Sequence, residues 1–512
     1  MKKIPIVVMG CGGVGRQLLE HIVSCRVLHS KQASPSLLAL PHLRPLPSGF
    51  LFFFGLALRV VGVCDSQSML VANDIFTTEL DDDLLARICR EKSSGSALSA
   101  IADIGKFLTS EGSLSCTVAM KFVAYAKGTR DCQVFNNRET IMQVVDIAGL
   151  LGRSTGLAVV DCSASSETVE VLKQVVDSGC SIVLANKKPL TSAIEDYEKL
   201  TSHARRIRYE STVCSCCFRS FSISILLYVS QYQADNAWNF CPQHNLISLN
   251  SQVGAGLPVI ASVTRVIASG DPIFRIVGSL SGTLGYVMSE VEEGKPFSEV
   301  VRSAKRLGYT EPGCRHREAQ SSVCYHAELV SIWLSVDYDP TFLENRKHCK
   351  TILSVLRYRP PDAREDLSGM DVARKALILA RLLGWQINMD DIKVESLYAV
   401  EMGPDSMSTE DFLNDGLLSI DKEFSERVKA ASAKGNVLRY VCLIEGSSCQ
   451  VGLQELPKLS SIGRLRGSDN VVEIYSRCYK ESPLVIQGAG AGNDTTAAGV
   501  LADIVDLQDL FK

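Results

Sequence analysis

The chain has 512 residues and a formal net charge of −4 at pH 7, with 46% hydrophobic and 21% charged residues. Such a composition is typical of a globular protein with two or three domains. A net charge this small does not favour nucleic acid or an anionic membrane as a partner. The longest apolar runs are also well short of the roughly 20 residues that a membrane-spanning helix needs. We therefore expect no nucleic-acid partner and no membrane partner.

The amino-terminal residues bear on where the protein resides. They enter a β-branched, strand-like run at once, which leaves no room for a signal peptide or for an Arg- and Ser-rich transit peptide. The sequence as written therefore predicts a cytoplasmic protein, and a plastid location would require a transit peptide encoded upstream. The 18 cysteines are scattered and lack a secretory context, so we expect reduced thiols rather than a disulfide framework.

A strand, a glycine turn and a helix follow one another at the start of the chain and predict a site for NADP or NAD. The strand Ile4–Met9 leads into Gly10-Cys-Gly-Gly-Val-Gly15, and helical apolar spacing follows. In a dinucleotide fingerprint, successive glycines permit the turn, let the backbone approach the pyrophosphate, and let helix and strand pack closely. The alternative is a turn that only connects two elements. The cofactor contacts predicted from this motif are Gly10, Gly12, Gly13, Val14 and Gly15.

An acidic residue follows the second predicted strand, Leu58–Cys64. Asp65 is placed to accept hydrogen bonds from ribose hydroxyls, which would favour NAD over NADP because the carboxylate repels a 2′-phosphate. It lies fifty residues after Gly15, whereas the fingerprint expects about 20. The alternative is a solvated turn at the end of a strand.

Further strands alternate with helices and predict an α/β fold with a Rossmann-type, doubly wound parallel sheet. The strand Gly156–Asp161 precedes a helix at Glu167–Asp177, and the strand Ser181–Ala185 follows. Ligands bind at the carboxyl ends of strands in such sheets. Ser163 and Lys187 fall at these ends and are predicted to contact the cofactor.

Three motifs in the second half of the chain carry a family resemblance. They are Gly278-Ser-Leu-Ser-Gly-Thr-Leu-Gly-Tyr-Val287, Gly308-Tyr-Thr-Glu-Pro312 and Asp366-Leu-Ser-Gly-Met-Asp-Val-Ala-Arg-Lys375. Together they closely resemble homoserine dehydrogenase of the monofunctional, plant-like type. The resemblance implies a second, α+β domain for catalysis and dimerisation, and therefore a homodimer. It also implies reversible NAD(P)H-dependent reduction of L-aspartate 4-semialdehyde to L-homoserine in threonine, methionine and isoleucine biosynthesis.

The resemblance also assigns roles to residues. Asp371 and Lys375 are four apart in a helix predicted from about Ser368 to Leu383, so they share one face, although an exposed surface pair has the same spacing. The implied catalytic residues are Lys375, Asp371 and Lys187. The implied substrate contacts are Glu311, Asp366, Asp371 and Thr283. The implied cofactor contacts beyond the glycine turn are Asp65, Ser163, Lys187, Gly308 and Gly492. A monovalent cation, Na⁺ or K⁺, is implied at Glu210, Val253, Ala255 and Leu257, where the alternative is a helix-capping loop without an ion.

Three segments interrupt the resemblance. They are residues 33–56, residues 211–252 and residues 313–361, and the foreign part of the second segment runs from Val213 to Gln252. Removing them restores contiguous family motifs, so we interpret them as translated introns or gene-model insertions. The predicted domains are 1–210 for NAD(P), 253–480 for substrate and dimerisation, and 481–512 as a segment returning to the nucleotide domain. Two alternatives remain. One is a dinucleotide-binding homologue impaired by the insertions, and the other is an aspartate-semialdehyde dehydrogenase, which would need a cysteine nucleophile.

Overall fold

The computed structural model describes most of the chain, and the described residues form two compact units. The described ranges are 2–30, 55–66, 68–96, 98, 101, 127–128, 132–136, 140–212, 257–310, 362–490 and 492–511. Unit 1 comprises Met1–Ile273, Leu377–Asp391 and Gly488–Lys512, and unit 2 comprises Phe274–Ala376 and Ile392–Gln487. The interpretation of 213–252 and 313–361 as insertions falls outside the described residues and stays a prediction.

An eight-stranded sheet forms the centre of unit 1. Its strands are β1 (Lys2–Met9), β2 (Leu56–Cys64), β3 (Ser68–Ala72), β4 (Lys127–Gly128), β5 (Cys132–Asn136), β6 (Ala158–Asp161), β7 (Ser181–Leu184) and β8 (Ile207–Arg208). They lie in the order β4-β5-β3-β2-β1-β6-β7-β8. The five neighbouring strands β2, β1, β6, β7 and β8 are parallel, as predicted for a Rossmann-type sheet. The antiparallel extension through β3, β5 and β4 was not predicted.

Helices pack on this sheet because their apolar faces need burial. The helices of unit 1 are α1 (Gly13–Ser30), α2 (Asp82–Ser93), α3 (Thr140–Leu151), α4 (Thr168–Asp177), α5 (Ile194–Thr201) and α6 (Val259–Ala268), and the last in the chain is α12 (Asn493–Asp506). One hydrophobic cluster joins Ile6 of β1, Leu18 of α1 and Val500 of α12, each fully buried. The carboxyl-terminal helix therefore completes the core that the first strand begins.

The start of β2 corrects one predicted boundary. The sequence pattern predicts that this strand begins at Leu58. In the structure Leu56 pairs with Lys2 in the parallel ladder, and the Lys2 amide donates to the Gly55 carbonyl at 2.9 Å. The strand extends two residues further because β1 offers a partner there, which the local sequence pattern does not reveal.

Unit 2 consists of a six-stranded sheet and the helices that cover it. The remaining strands are β9 (Ile273–Ser279), β10 (Lys393–Val394), β11 (Asn436–Glu445), β12 (Ser448–Pro457), β13 (Asp469–Ser476) and β14 (Leu484–Ala489), in the order β10-β12-β11-β9-β13-β14. The remaining helices are α7 (Gly282–Glu292), α8 (Phe297–Arg306), α9 (Ala363–Leu367), α10 (Met370–Leu382) and α11 (Leu417–Ala433). A short helical turn at Thr409–Asp411 and a π-helical turn at Phe412–Gly416 lead into α11.

The chain passes between the units at positions that differ from the predicted domain limits. Helix α6 belongs to unit 1, and unit 2 begins at Phe274 rather than at residue 253. The cause is local, since Glu210 of unit 1 binds the amino-terminal amides of α6. Among the described residues, no helix combines the length and apolar character needed to span a membrane.

Candidate functional site

The glycine turn between β1 and α1 has the geometry that a dinucleotide requires. Gly10 has φ +91°, and a Cβ there would lie 2.6 Å from the Ser163 amide nitrogen. A Cβ on Gly15 would lie 2.0 Å from the Gly10 carbonyl oxygen, so helix and turn touch directly. By contrast, among the described residues, apart from the chain neighbours of Gly12, no atom lies within 4 Å of a Cβ built on it. The backbone at Gly12 is therefore open to a ligand, while Gly10 and Gly15 are closed by the fold.

The amino terminus of α12 lies beside the same turn. A Cβ on Gly13 would meet the Asn493 side chain at 2.5 Å. Gly492 precedes α12 with φ +132°, a conformation that favours glycine. His21 of α1 lies 2.7 Å from the Asp494 carboxylate. Two helices thus begin at one place in unit 1, where their amino-terminal N–H groups favour a phosphate.

Asp65 lies at the end of β2, as predicted, but its carboxylate has protein partners. Oδ1 accepts from the Ser68 amide at 2.8 Å, and Oδ2 lies 2.8 Å from Lys92 Nζ of α2. Oδ2 also accepts from the Leu98 amide at 3.3 Å. The Lys92 ammonium therefore compensates the Asp65 charge, and this carboxylate repels a 2′-phosphate less than an unpaired carboxylate would.

A buried carboxylate joins the turns that follow β6 and β7. Asp161 is 0% exposed and accepts from the Ser163 amide at 2.9 Å and the Thr168 hydroxyl at 2.8 Å. Asn186 Nδ2 donates to Asp161 at 3.0 Å and to the Ser165 carbonyl at 2.7 Å. Burial raises the pKa of Asp161, and hydrogen bonds from Ser163 and Asn186 oppose that rise. Ser163 is therefore held by a network that includes the residue before Lys187.

Lys187 begins a 3₁₀ turn, Lys188–Thr191, after β7. It is half-buried, whereas Lys188 is exposed. The Lys187 carbonyl accepts from the amides of Leu190 at 3.1 Å and Thr191 at 3.2 Å. These two backbone bonds close the turn.

Glu210 caps a helix in the structure. Its carboxylate accepts from the amides of Ile260 at 2.6 Å and Ala261 at 2.7 Å in the first turn of α6. Burial raises its pKa to about 7, although these bonds to the backbone lower it. The Glu210 amide donates to Asp503 at 3.0 Å, and burial followed by the charge of Glu210 raises the pKa of Asp503. Leu257 is described beside α6, and its carbonyl accepts from the Val259 amide at 2.8 Å.

The catalytic candidates of unit 2 form a buried ion pair. Lys375 is 0% exposed, and its Nζ lies 2.8 Å from Asp371 Oδ2 one turn earlier on α10. The same nitrogen donates to the Leu280 carbonyl at 2.6 Å. Exposed pairs with this spacing contribute only about 0.2 to 0.5 kcal/mol. Burial of both side chains excludes the interpretation of an ordinary surface pair.

The other predicted site residues of unit 2 that the structure describes lie on or beside the helices α7, α8 and α9. Thr283, in the first turn of α7, donates its hydroxyl to the Tyr309 carbonyl at 2.5 Å. Asp366 on α9 is 5% exposed. Gly308 follows α8 with φ +75°, and a Cβ built on it meets no atom within 4 Å in the described part of the chain beyond its two neighbours. Gly369, with φ +74°, precedes α10, and a Cβ there would lie 1.8 Å from the Tyr440 hydroxyl oxygen.

Three predicted residues lie outside the described part of the chain, namely Glu311, Val253 and Ala255. Within the described part, no group of three or more His, Cys, Asp and Glu side chains is arranged to hold a metal. Sequence reasoning also missed functional candidates. Lys92 and Tyr440 gave no local signal, because their partners Asp65 and Gly369 are distant in sequence. Asp161 was detectable as the polar residue that ends an apolar strand.

Comparison with known proteins agrees with this geometry. The family model described as homoserine dehydrogenase matches residues 258–316 and 352–505, which include α7, α10 and the Asp371–Lys375 pair. A homoserine dehydrogenase from Paracoccidioides brasiliensis is 31% identical over 375 residues, covering 71% of this chain and 77% of that protein. The chain belongs to the homoserine dehydrogenase family.

Other similar proteins differ from this chain in length or are similar to it only in fold. A bifunctional aspartokinase/homoserine dehydrogenase from Haemophilus influenzae is 29% identical over 346 residues. The match covers 68% of this chain but only 32% of that relative. A Candida auris protein of unknown function matches with a TM-score of 0.61 at 22% identity, covering 100% and 99% of the two chains. A hyperthermophilic archaeal homoserine dehydrogenase in complex with NADPH has a TM-score of 0.51 at 16% identity, covering 100% and 99%. These two structures are similar to this chain in fold.

Proposed function

We propose that this chain is an NAD(P)-dependent homoserine dehydrogenase that reversibly reduces L-aspartate 4-semialdehyde to L-homoserine. The observation that carries the proposal is the buried pair of Asp371 and Lys375, 2.8 Å apart on α10. NAD(P)H, when bound, supplies the hydride. The protein must then hold the aldehyde, bind its ammonium and carboxylate groups, and protonate the oxygen that becomes the alcohol.

Lys375 is our candidate for the proton donor. Its ammonium is anchored by Asp371 and by the Leu280 carbonyl, so it has a defined position before substrate arrives. A positioned general acid typically accelerates such a step by roughly 10²- to 10⁴-fold. We assign Asp371 and Asp366 to the substrate ammonium, because an anion next to it favours binding. Lys187 is assigned to the nicotinamide side of the reaction.

The glycine turn is our proposed site for the cofactor. Gly12 leaves the backbone open and the amino termini of α1 and α12 supply N–H groups, which suits a pyrophosphate. The NADPH complex of the archaeal relative supports this assignment. We propose that Asp65 and Lys92 set the cofactor preference. Replacement of Lys92 by Ala should weaken NADPH more than NADH, and replacement of Asp65 by Ala should do the reverse.

We propose that a monovalent cation binds near Glu210. The half-buried carboxylate of Glu210 and the buried carboxylate of Asp503 lie next to each other, and desolvation raises the pKa of both. A cation with oxygen ligands would compensate this charge. The carbonyl of Leu257, together with those of Val253 and Ala255, would complete the ligand set.

We also propose a homodimer through unit 2. Phe274 of β9 is 45% exposed, and its ring lies 6.5 Å from that of Tyr475 on the neighbouring strand β13. Exposed aromatic contacts on a sheet are typical of protein interfaces. Sedimentation equilibrium tests this assignment, and a monomer at all concentrations would contradict it.

The experiment that tests the function is an assay of NADPH oxidation with aspartate 4-semialdehyde, performed on the full chain. Lys375→Met should lower kcat by about 10²- to 10⁴-fold while NADPH still binds. Lys422→Met is the matched control, because Lys422 also faces a carboxylate four residues away, Glu426 at 3.9 Å, but on an exposed surface. We expect the control to retain its turnover.

The outcomes distinguish the alternatives. NADPH binding without turnover by the full chain would favour the impaired homologue, and deletion of 213–252 and 313–361 should then restore activity. An aspartate-semialdehyde dehydrogenase would need a reactive thiolate. Burial raises the pKa to about 12 for six of the described cysteines, Cys11, Cys64, Cys89, Cys180, Cys442 and Cys449. These thiols are therefore poor nucleophiles.

A further inference from the structure

Helix α10 contains a buried arginine that the proposed chemistry does not use. The first turns of α10 carry Asp371 and Lys375, whereas its last turns, from Leu377, belong to unit 1. Arg381 lies in these last turns and is 3% exposed, within an otherwise apolar run that includes Leu379 and Ala380. A leucine would fill such a position without the desolvation cost of a guanidinium. We therefore ask which contacts of the Arg381 guanidinium offset this desolvation cost.

The contacts of Arg381 are directional. Nη1 donates to the Leu190 carbonyl at 2.8 Å, Nε donates to the Ile387 carbonyl at 3.0 Å, and Nη2 donates to Asn388 Oδ1 at 3.0 Å. The guanidinium also lies 5.1 Å from the centroid of the Tyr197 ring on α5. A planar guanidinium with donors on three sides fixes the orientation of its partners more narrowly than an ammonium does.

One of these partners belongs to the turn that carries Lys187. Leu190 lies within the 3₁₀ turn Lys188–Thr191, and its amide donates back to the Lys187 carbonyl at 3.1 Å. The backbone of Leu190 thus bonds to Arg381 through its carbonyl and to Lys187 through its amide. On the helix side, Arg381 is six residues after Lys375, about 9 Å along the axis of one continuous helix.

We propose that Arg381 is a positioning residue that locks the Lys187 turn onto helix α10, the helix that also carries Asp371 and Lys375. The inference deepens the proposed homoserine dehydrogenase function and rests on it for its effect on turnover. Arg381 touches none of the reacting groups itself. Its effect should therefore appear in kcat, because a displacement of about 1 Å in a reacting group can cost roughly 10²-fold in rate.

The test compares two buried arginines of unit 1. Arg381→Lys keeps the charge but loses the fork of donors, so we expect kcat to fall by about 10- to 100-fold. The dissociation constant for NADPH should stay within about threefold, because the glycine turn is untouched. Arg59→Lys is the matched control: Arg59 is 7% exposed and donates to the carbonyls of Phe76 at 3.2 Å and Thr78 at 2.6 Å. We expect it to lose stability while kcat is retained.

Hydrogen exchange provides a second readout that does not depend on turnover. The amides of residues 187, 188, 190 and 191 should exchange faster in Arg381→Lys than in the parent chain and in Arg59→Lys, because the turn has lost its anchor. If the parent chain shows no turnover, the proposed function fails, but this exchange still tests the lock. Unchanged exchange at 187–191, or an unchanged kcat in an active parent background, would overturn the proposal.

Two further results would also overturn it, namely an equal loss of kcat in Arg59→Lys and a loss confined to NADPH affinity. If Arg381→Lys does not fold, Asn388→Ala removes one acceptor at the exposed end of the network and leaves Arg381 in place. We expect this variant to fold and to lose kcat by several-fold. A kcat equal to that of the parent would contradict the role assigned to the network.

Discussion

Replacement of Gly369 by Ala should damage both stability and turnover, because the fold leaves no room for a side chain before α10. A Cβ at this position would lie 1.8 Å from the Tyr440 hydroxyl oxygen and 2.8 Å from the ring carbon that bears it. Tyr440 is 3% exposed and donates to the Glu395 carbonyl at 2.7 Å, so it cannot retreat freely. Either this ring or the start of α10 must move by more than about 1 Å, a displacement that can cost ~10²-fold in rate.

The expected loss of stability has three contributions, namely backbone strain, steric overlap and a lost hydrogen bond. A non-glycine residue at φ +74° costs roughly 1–2 kcal/mol, overpacking a buried site costs typically 1–3 kcal/mol, and a lost hydrogen bond costs about 1 kcal/mol. Gly384, just after the other end of α10, has φ +88°, and a Cβ built on it would meet no atom of the described ranges within 4 Å, its chain neighbours aside. Gly384→Ala should therefore show the strain alone, about 1–2 kcal/mol.

Urea unfolding and steady-state kinetics of both variants check this reasoning. We expect Gly369→Ala to be less stable than Gly384→Ala by about 2–4 kcal/mol and to lose about 10²-fold in kcat. Adding Tyr440→Phe should recover part of the stability, because the nearest atom is removed. Equal stability and equal turnover in the two alanine variants would refute the overlap.

Three further perturbations have defined outcomes. Glu292 is 2.7 Å from the buried Arg439, so Glu292→Gln should cost roughly 3–5 kcal/mol in urea unfolding at pH 7. Burial alone would raise the pKa of Glu292, but hydrogen bonds from arginines lower it to about 2; its stabilisation is therefore present above the unfolded pKa of about 4.5 and is lost as pH falls toward 2. Asn186→Ala should cost about 1–3 kcal/mol, because buried Asp161 loses a donor. The pKa of Glu210, raised to about 7, means that ionisation destabilises the fold as pH rises from about 4.5 to 7, and Glu210→Gln should abolish this slope.

Each of these outcomes has a result that contradicts it. Acid unfolding of Glu292→Gln that parallels the parent would show that the ion pair contributes nothing. Unchanged stability of Asn186→Ala would mean that water replaces the amide. For Glu210, added K⁺ should raise the melting temperature of the parent at pH 8 but not that of the Gln variant. Equal responses to K⁺ would place the cation elsewhere.

Local patterns predicted those parts of the molecule in which the partners are close in sequence. The turn from Gly10 to Gly15 was predictable, because strand, glycines and helix are consecutive. The pair of Asp371 and Lys375 was predictable as well, because helix geometry brings residues four apart onto one face. Its burial was not, since the pattern is the same on a protein surface.

Contacts between distant residues could not be predicted from these patterns. The carboxylate of Asp65 is compensated by Lys92, 27 residues later, and Gly369 is restricted by Tyr440 from a different strand. The buried position of Arg381 gave a weak signal, a charge within an apolar helical run. Its acceptor at Leu190 lies 191 residues earlier, and only the folded chain brings the two together.

We expect the packing of α12 against α1 to delay the completion of unit 1 during synthesis, because both helices share one hydrophobic core. Val500 and Ile504 of α12 belong to the same core as β1 and α1. Ribosomes add about 5–20 residues per second, so the amino-terminal strands wait on the order of half a minute or more for these residues. Unit 2 needs the chain only as far as Gln487. The nascent protein should therefore finish its second unit first, while an apolar face of α1 remains a target for chaperones until the last helix emerges.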